Sequence, residues 1–239
     1  MSDGRLVGAV FARGGSKGIP RKNLRLLGGK PLLVHALEAL GGVPGVWRIL
    51  VSTDDAEIAG VASGWGAEIV TRPAPLAADD APEWLAWRHL VETVGSAWGS
   101  SVDDVLLVAP TTSPLRVPGD LDRAATRLRE GDVDVVISVT PAARNPYFNM
   151  VTIGADGRAA VMMKPETPIF RRQDAPAVFD VTTVAYAASP QYVLTAPRLF
   201  AGRVGAIVVP AERALDIDTP HEFEMAEILM ARRQVDAAP

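Results

Sequence analysis

Cysteine is absent from this chain. That excludes disulfides, thiolate metal sites and a cysteine nucleophile, and says little about compartment. A general basic excess is also missing: 24 Lys and Arg stand against 28 Asp and Glu, a net charge of −4. Nucleic-acid binding is therefore not expected, because nothing drives counterion release. No apolar run approaches the ~18 residues that span a bilayer, and no apolar stretch behind a basic N-terminus reads as a signal peptide. A soluble cytoplasmic protein with no membrane partner is the expectation. There is no internal repeat. The phosphate loops G-x-x-x-x-G-K-[ST] and G-x-G-x-x-G are both missing. Lysine is scarce, four residues against twenty arginines.

Three of the four lysines, Lys17, Lys22 and Lys30, lie in the first thirty residues. Two of them sit in Ala12-Arg13-Gly14-Gly15-Ser16-Lys17-Gly18-Ile19-Pro20-Arg21-Lys22-Asn23, directly after the apolar run Leu6-Val7-Gly8-Ala9-Val10-Phe11, which reads as a buried strand. A strand emptying into a glycine-rich basic loop is a place to hold polyphosphate. Glycines let the backbone approach and turn N–H groups toward an anion, and compact ammonium groups suit phosphate as a point charge. The competing reading is a surface loop with Gly for turns and Lys/Arg for solubility.

The 239 residues suit one α/β domain, with 140–172 as a protruding segment, and are long enough to bury a sizeable core. Strands are predicted over 6–11, 48–52, 67–70, 104–109, 134–139, 181–187 and 204–209. Helices are predicted over 31–40, 54–64, 82–94, 118–130, 190–195 and 220–233, with 71–82 as a loop and short antiparallel strands in 145–151 and 160–163. Such βα alternation implies a mostly parallel sheet covered by helices on both faces, a Rossmann-like three-layer sandwich. Ligands bind beyond the carboxyl ends of such strands. The basic loop, Thr53-Asp54 and Thr111-Thr112-Ser113 all fall there.

Asp216 and Asp218 are a second candidate site. In an extended strand, residues two apart share a face, so both carboxylates point one way while Ile217 points to the core. Two such carboxylates can hold Mg²⁺, completed by water and phosphate oxygens. Alternatively, Asp218 caps the helix beginning at Pro220, and the two roles can coexist. Asp54-Asp55 reads as a helix cap. Trp84 and Trp87, three apart on a helix, read as core or interface filler. Arg116 reads as a loop anchor bonding carbonyls.

The order of residues in the basic loop resembles the signature of the cytidylyltransferases that activate 2-keto-3-deoxy sugar acids, the CMP-sialic acid synthetases and their relatives. Further matches follow in sequence. Ile49–Asp55 is similar to the family's second strand and turn. Thr71-Arg72-Pro73 with Asp79-Asp80-Ala81-Pro82 resembles its R-P-x-x-L…D segment, and Thr112-Ser113-Pro114-Leu115-Arg116 its T-S-P-L-R block. Arg171-Arg172-Gln173-Asp174 resembles its R-Q sugar block, and Ala214–Pro220 its I-D-I-D-T metal segment.

The resemblance implies Mg-dependent transfer of CMP from CTP to the anomeric 2-hydroxyl of a 2-keto-3-deoxy sugar acid, with release of pyrophosphate. It implies that Arg13, Lys17 and Lys22 neutralise the triphosphate, with Ala12, Gly14, Gly15, Ser16, Asn23, Arg72, Asp80 and Ala81 around the nucleotide. Asp216 and Asp218 would hold Mg²⁺, and Asp218 is also a candidate base. Thr111, Thr112, Arg172, Gln173 and Tyr186 would line the acceptor site, Arg172 meeting the acid's carboxylate in two-point fashion. It further implies a homodimer formed through the protruding segment.

The chain departs from the sialic acid enzymes in the acceptor site. Pro110-Thr111 stands where the family pattern has Gln-Pro, Phe148 replaces a lysine, and Asp180, Thr182 and Thr183 stand at the Arg, Asn and Gly of R-x-N-G-A-I-Y. An acidic keto-sugar other than N-acetylneuraminate is the expected acceptor. Two alternatives stay open: a nucleotidyltransferase of the same fold using another nucleotide or a sugar 1-phosphate, and a non-catalytic nucleotide-binding homologue.

Overall fold

A near-continuous apolar run suits a strand covered on both faces, and Leu6, Val7, Ala9 and Val10 are buried accordingly. The computed structural model describes residues 4–16, 18–95, 104–164, 167 and 171–236, with the backbone alone for 172 and 234–236. In chain order the elements are β1 (Leu6–Phe11), β2 (Leu26–Leu27), β3 (Lys30–Pro31), α1 (Leu32–Gly41), β4 (Val46–Thr53), α2 (Ala56–Trp65), β5 (Glu68–Thr71), α3 (Ala74–Ala77), α4 (Glu83–Val94) and β6 (Val105–Val108). They continue with α5 (Pro118–Arg129), β7 (Val135–Pro141), β8 (Val151–Ile153), β9 (Ala159–Val161), β10 (Phe179–Ala188), α6 (Pro190–Thr195), β11 (Val204–Val208) and α7 (Pro220–Asp236).

Seven strands form one sheet in the order β11-β7-β10-β6-β1-β4-β5. β5, β4, β1 and β6 are parallel, and so are β7 and β11; β10 is antiparallel to both neighbours. The mostly parallel, Rossmann-like sandwich expected above is what forms. Alternation along the strands divides the core in two. Leu6, Val10 and Leu107 pack with Leu37, Leu40 and Leu121 of α1 and α5 on one face. Val7, Ala9, Leu106 and Val108 pack with Trp84, Trp87 and Leu90 of α4 on the other. β8 and β9 form a separate ribbon. Around it Val151, Ile153, Val161, Met162 and Met163 are exposed. No helix among the described residues is long and apolar enough to cross a membrane.

Three expectations change. The 71–82 stretch contains the short helix α3. The strand expected in 145–151 begins only at Val151, because Asn145 closes a side-chain turn: its Oδ1 accepts from the Tyr147 N–H at 2.9 Å. Ala214–Asp218 forms no strand, yet Ile217 is fully buried with Ile19, Leu27 and Phe223 and its N–H donates to Thr112 O at 2.9 Å. The inward position of Ile217 is thus correct without the strand.

β10 carries a bulge that matters for the site. Thr182 stands opposite Ser138 and Tyr186 opposite Ile137, leaving residues 183–185 without a partner on β7. The Ser138 hydroxyl fills this gap completely. It donates to Thr182 O (3.1 Å) and accepts from Thr182 Oγ1 (2.8 Å) and from the Ala185 N–H (2.9 Å). Arg116, buried, donates to the carbonyls of Val184 (2.6 Å), Thr183 (3.0 Å) and Pro110. This is the carbonyl-anchoring role read from the sequence. Burial pushes its guanidinium down to about 9, with Asp120 and Asp216 pulling the other way.

Asp120, in the first turn of α5, holds the chain that leads into Asp216. Its carboxylate accepts from Arg213 Nε (2.9 Å) and a second Arg213 nitrogen (2.8 Å), from Arg123 (2.8 Å) and from the Val117 N–H (3.1 Å). Burial alone would raise this carboxyl, but Arg213, the Val117 N–H and Arg123 outweigh it and hold it below its ordinary 3.8. A depressed carboxyl stabilises the fold fully above pH ~4 and loses that contribution as pH falls through the folded-state value. Asp120→Asn is therefore expected to cost ~2–4 kcal/mol at pH 7, by urea midpoint, because Arg213 loses its buried counter-charge. The deficit should shrink below pH ~4. A deficit constant with pH would mean that the charge of Asp120 contributes nothing.

Candidate active site

At the carboxyl ends of β1, β4 and β6 the basic loop is stapled from below. Asn23, buried, donates from Nδ2 to Arg13 O at 2.9 Å and accepts from Thr111 Oγ1 at 2.6 Å, joining the loop to the end of β6. The Gly14 N–H donates to Asp54 Oδ1 at 2.9 Å. Asp55 caps α2, accepting from the N–H groups of Glu57 (3.0 Å) and Ile58 (2.9 Å). So only one member of the Asp54-Asp55 pair is the cap; the other holds the loop. Arg21 sits at φ 56°, a left-handed conformation uncommon outside glycine, and pairs with Asp55 at 2.5 Å and with Glu57.

Lys22 reaches across the chain to the last segment. Its ammonium donates to Ile217 O at 2.8 Å and to Asp218 Oδ1 at 2.9 Å. Gly18 touches the same segment: a Cβ there would lie 2.0 Å from the carbonyl oxygen of Asp218. Asp218 does not cap α7. Thr219 and Glu222 do so reciprocally: Thr219 Oγ1 accepts from the Glu222 N–H at 3.3 Å, and Glu222 Oε2 accepts from the N–H groups of Thr219 (2.7 Å) and Asp218 (2.8 Å). The Asp218 side chain is left 67% exposed. Asp216 is half-buried, and its Oδ1 is buried without a hydrogen-bond partner.

Two cavities open here. One, of about 420 Å³, is lined by Arg13, Gly15, Ser16, Gly18, Lys22, Asn23, Arg72, Asp79, Ala81 and neighbours. Arg13 is held by Asp79 at 2.8 Å and by Ala78 O at 3.2 Å. Arg72 is buried against β4, bonded to Ser52 Oγ (3.1 Å) and O (2.9 Å), and burial lowers its guanidinium from the usual range. The second cavity, of about 440 Å³, is lined by Trp84, Trp87, Pro110, Thr183, Tyr186, Leu199 and Asp216. Phe11, Glu83, Thr111, Thr112 and Asp218 line both. Thr183, at the bulge, hydrogen-bonds Ser113 (2.6 Å) and Thr112 (3.1 Å). Burial, with Glu83 and Asp216 nearby, pushes the Tyr186 phenol up to about 12, so it stays a neutral donor.

Most of the residues expected at the site meet at this pair of cavities: Arg13, Gly15, Ser16, Lys22, Asn23, Arg72, Ala81, Thr111, Thr112, Tyr186, Asp216 and Asp218. Ala12 does not. Its side chain is fully buried in the core and its N–H donates to Ser52 O at 3.0 Å, so neither faces the first cavity. Asp80 and Gln173 are exposed and line neither cavity, and neither does Gly14, whose N–H is taken by Asp54. Lys17 and the Arg172 side chain lie outside the described residues. Glu83 and Leu199 had not been anticipated, and Trp84 and Trp87 form a cavity wall as well as core. For Glu83, Trp84 and Trp87 the available signal was their position in the first turns of a helix starting at the carboxyl ends of the strands, whereas Leu199, in the turn after α6, offered none.

Chemically, the first cavity offers cations and backbone N–H groups to an anion. The second offers three carboxylates, with no Lys or Arg among its described lining residues. Asp216 and Asp218 are hard oxygen donors, one with an unpartnered buried oxygen, and suit Mg²⁺. Among the described residues no group of three or more His, Asp or Glu gathers, so such an ion would be completed by water and phosphate oxygens.

Comparison with known proteins agrees with this geometry. A Campylobacter jejuni protein named CMP-N,N'-diacetyllegionaminic acid synthase is 30% identical over 227 residues, 95% of each chain. The Post-translational flagellin modification protein B of Campylobacter coli is 27% identical over 229 residues, 95% of this chain and 96% of its own. The solved structure of a CMP:2-keto-3-deoxy-manno-octonic acid synthetase complexed with CTP superposes with a TM-score of 0.69 at 20% identity, covering 96% of this chain and 99% of that one. The profile of the family described as Cytidylyltransferase matches residues 7–235, and the chain belongs to that family of nucleotidyltransferase enzymes.

Proposed function

We propose that this enzyme transfers CMP from CTP to the anomeric 2-hydroxyl of a 2-keto-3-deoxy sugar acid, releasing pyrophosphate. The observation that carries the reading is the shared wall. A cavity lined by Arg13, Lys22 and Arg72 meets an acidic, aromatic one along Phe11, Glu83, Thr111, Thr112 and Asp218. A triphosphate in the first and a sugar acid in the second would meet at Asp218. The relatives' names, CMP-N,N'-diacetyllegionaminic acid synthase among them, support the same pair of substrates.

In this reading Arg13, Lys17 and Lys22 neutralise the triphosphate while Ser16 and loop N–H groups donate to it. The acceptor hydroxyl attacks the α-phosphorus in line, the bond to the β-phosphate oxygen breaks, and pyrophosphate leaves. Such transfer is mostly positioning and charge stabilisation. The hydroxyl's proton passes to a carboxylate of the shared wall, Asp218. Mg²⁺ held by Asp216 and Asp218 would supply charge neutralisation between carboxylates and phosphates. Lys22 then exchanges its Asp218 partner for phosphate. Arg172 takes the acceptor's carboxylate.

A homodimer through residues 140–172 belongs to the same proposal. The exposed apolar side chains on and around β8 and β9, with Phe179 and Val181 on the adjoining stretch of β10, support it.

The test is pyrophosphate release with Mg²⁺ and CTP, UTP, GTP or ATP against N-acetylneuraminate, 3-deoxy-manno-octulosonate, deaminated neuraminate and diamino nonulosonates. Release with CTP and one keto acid is expected, and N-acetylneuraminate is not expected to be the best acceptor. Release with a sugar 1-phosphate instead, or no CTP binding, would overturn the reading.

A further inference from the structure

The mechanism above leaves the aromatic side of the second cavity without a task. Trp87 is its centre. It stacks on Phe11 (centroids 5.8 Å, planes 16° apart), tilts against Trp84 at 5.4 Å and meets Tyr186 edge-on at 5.7 Å. Its indole N–H donates to Glu83 Oε1 at 2.9 Å, which fixes the ring. Trp84 is fixed in turn: its N–H donates to Ala196 O at 2.9 Å and Tyr192 packs edge-on at 5.8 Å. Arg88 bonds the same Ala196 carbonyl at 2.6 Å. These contacts dock the segment carrying Leu199, another apolar lining residue, onto α4. The lining is mixed: Thr111, Thr112, Thr183, Asp216 and Asp218 supply hydroxyls and carboxylates, Phe11, Trp84, Trp87, Pro110 and Leu199 supply apolar surface, and the Glu83 carboxylate is engaged by the Trp87 indole N–H. Neither tryptophan nor Leu199 lines the nucleotide cavity.

We infer that Trp87, backed by Trp84 and Leu199, is a specificity-determining residue that selects acceptors presenting an apolar, methyl-bearing edge over acceptors that carry a hydroxyl there. The inference rests on reading this cavity as the acceptor site. A hydroxyl placed against three apolar side chains loses its water without gaining a partner, whereas a methyl group gains contact. An apolar wall discriminates by roughly 10- to 100-fold for a single such group. The Asp216 and Asp218 carboxylates and the Thr112 and Thr183 hydroxyls line the same cavity and can meet the sugar's polar groups.

The experiment compares kcat/KM for two keto-deoxy nonulosonates of the same ring stereochemistry, one ending in methyl and the other in hydroxymethyl, in the wild type and in Trp87→Ala and Leu199→Asn. CTP binding serves as the check on folding. Leu199 is only half-buried, so its variant stands even where Trp87→Ala fails to fold. The wild type should prefer the methyl acceptor about tenfold or more. Each variant should narrow that ratio to within about threefold, with the CTP dissociation constant changed less than about twofold. Turnover of both acceptors at equal rates by the wild type, or a preference that survives both substitutions, would overturn the wall's role alone. CTP binding without turnover of any keto acid would overturn the acceptor reading, and the inference with it.

Discussion

Asp218→Asn should leave CTP bound and the fold intact while lowering pyrophosphate release at least about 100-fold. The backbone of Asp218 is held independently of its carboxylate: its N–H is capped by Glu222, and the adjoining Ile217 carbonyl keeps Lys22 at 2.8 Å. The carboxylate itself is largely exposed, and its ion pair with Lys22 adds little to stability. What the substitution removes is the negative charge at the junction of the two cavities, where the proposed ion and the acceptor's proton both need it. Calorimetric CTP binding and a coupled pyrophosphate assay separate the two effects. Unchanged turnover would take Asp218 out of the centre; loss of CTP binding with unchanged melting would make it a nucleotide contact only.

Gly18→Ala should be nearly as damaging, by a different route. The added methyl would lie 2.0 Å from the Asp218 carbonyl oxygen, a backbone atom that no rotamer change can move aside. The basic loop and the Asp216–Asp218 segment would have to part by more than an ångström. Displacements of that size at a reacting centre cost on the order of 100-fold, so kcat/KM should fall by about that factor. The two main core layers are untouched and only the small cluster of Ile19 and Ile217 is strained, so the melting temperature should fall by several degrees without loss of the fold. Activity within about threefold of wild type would mean that the close approach of loop and segment is not required.

Both effects depend on contacts between residues nearly 200 positions apart, Lys22 with Asp218 being separated by 196. Nothing local foretells such a contact. Much else was local and therefore legible. The alternation of apolar runs and amphipathic stretches located the sheet and its helices, and α6 falls at Pro190–Thr195 as the pattern predicts. The Thr219-x-x-Glu222 capping box was also present in the sequence, and reading it would have released Asp218 from a capping role. The resemblance implies Ala12 at the nucleotide, but this residue continues the line of β1 and its side chain points into the core.

By itself the sequence determined the fold class, the placing of the basic loop, Thr53-Asp54 and Thr111-Thr112-Ser113 at the carboxyl ends of strands, and the family. Periodicity and short motifs are properties of neighbouring residues, and they survive without coordinates. The tertiary structure decided what those residues face. A tryptophan on an amphipathic helix looks the same whether the core behind it is solid or hollow, so Trp84 and Trp87 became a wall only once Thr183, Tyr186 and Leu199 closed a cavity against them. Thr183 itself is aimed by a bulge that depends on the register of β10 against β7 and on the buried Ser138 and Arg116 beneath it. Register and burial are set by the whole sheet, and a chain read residue by residue does not contain them.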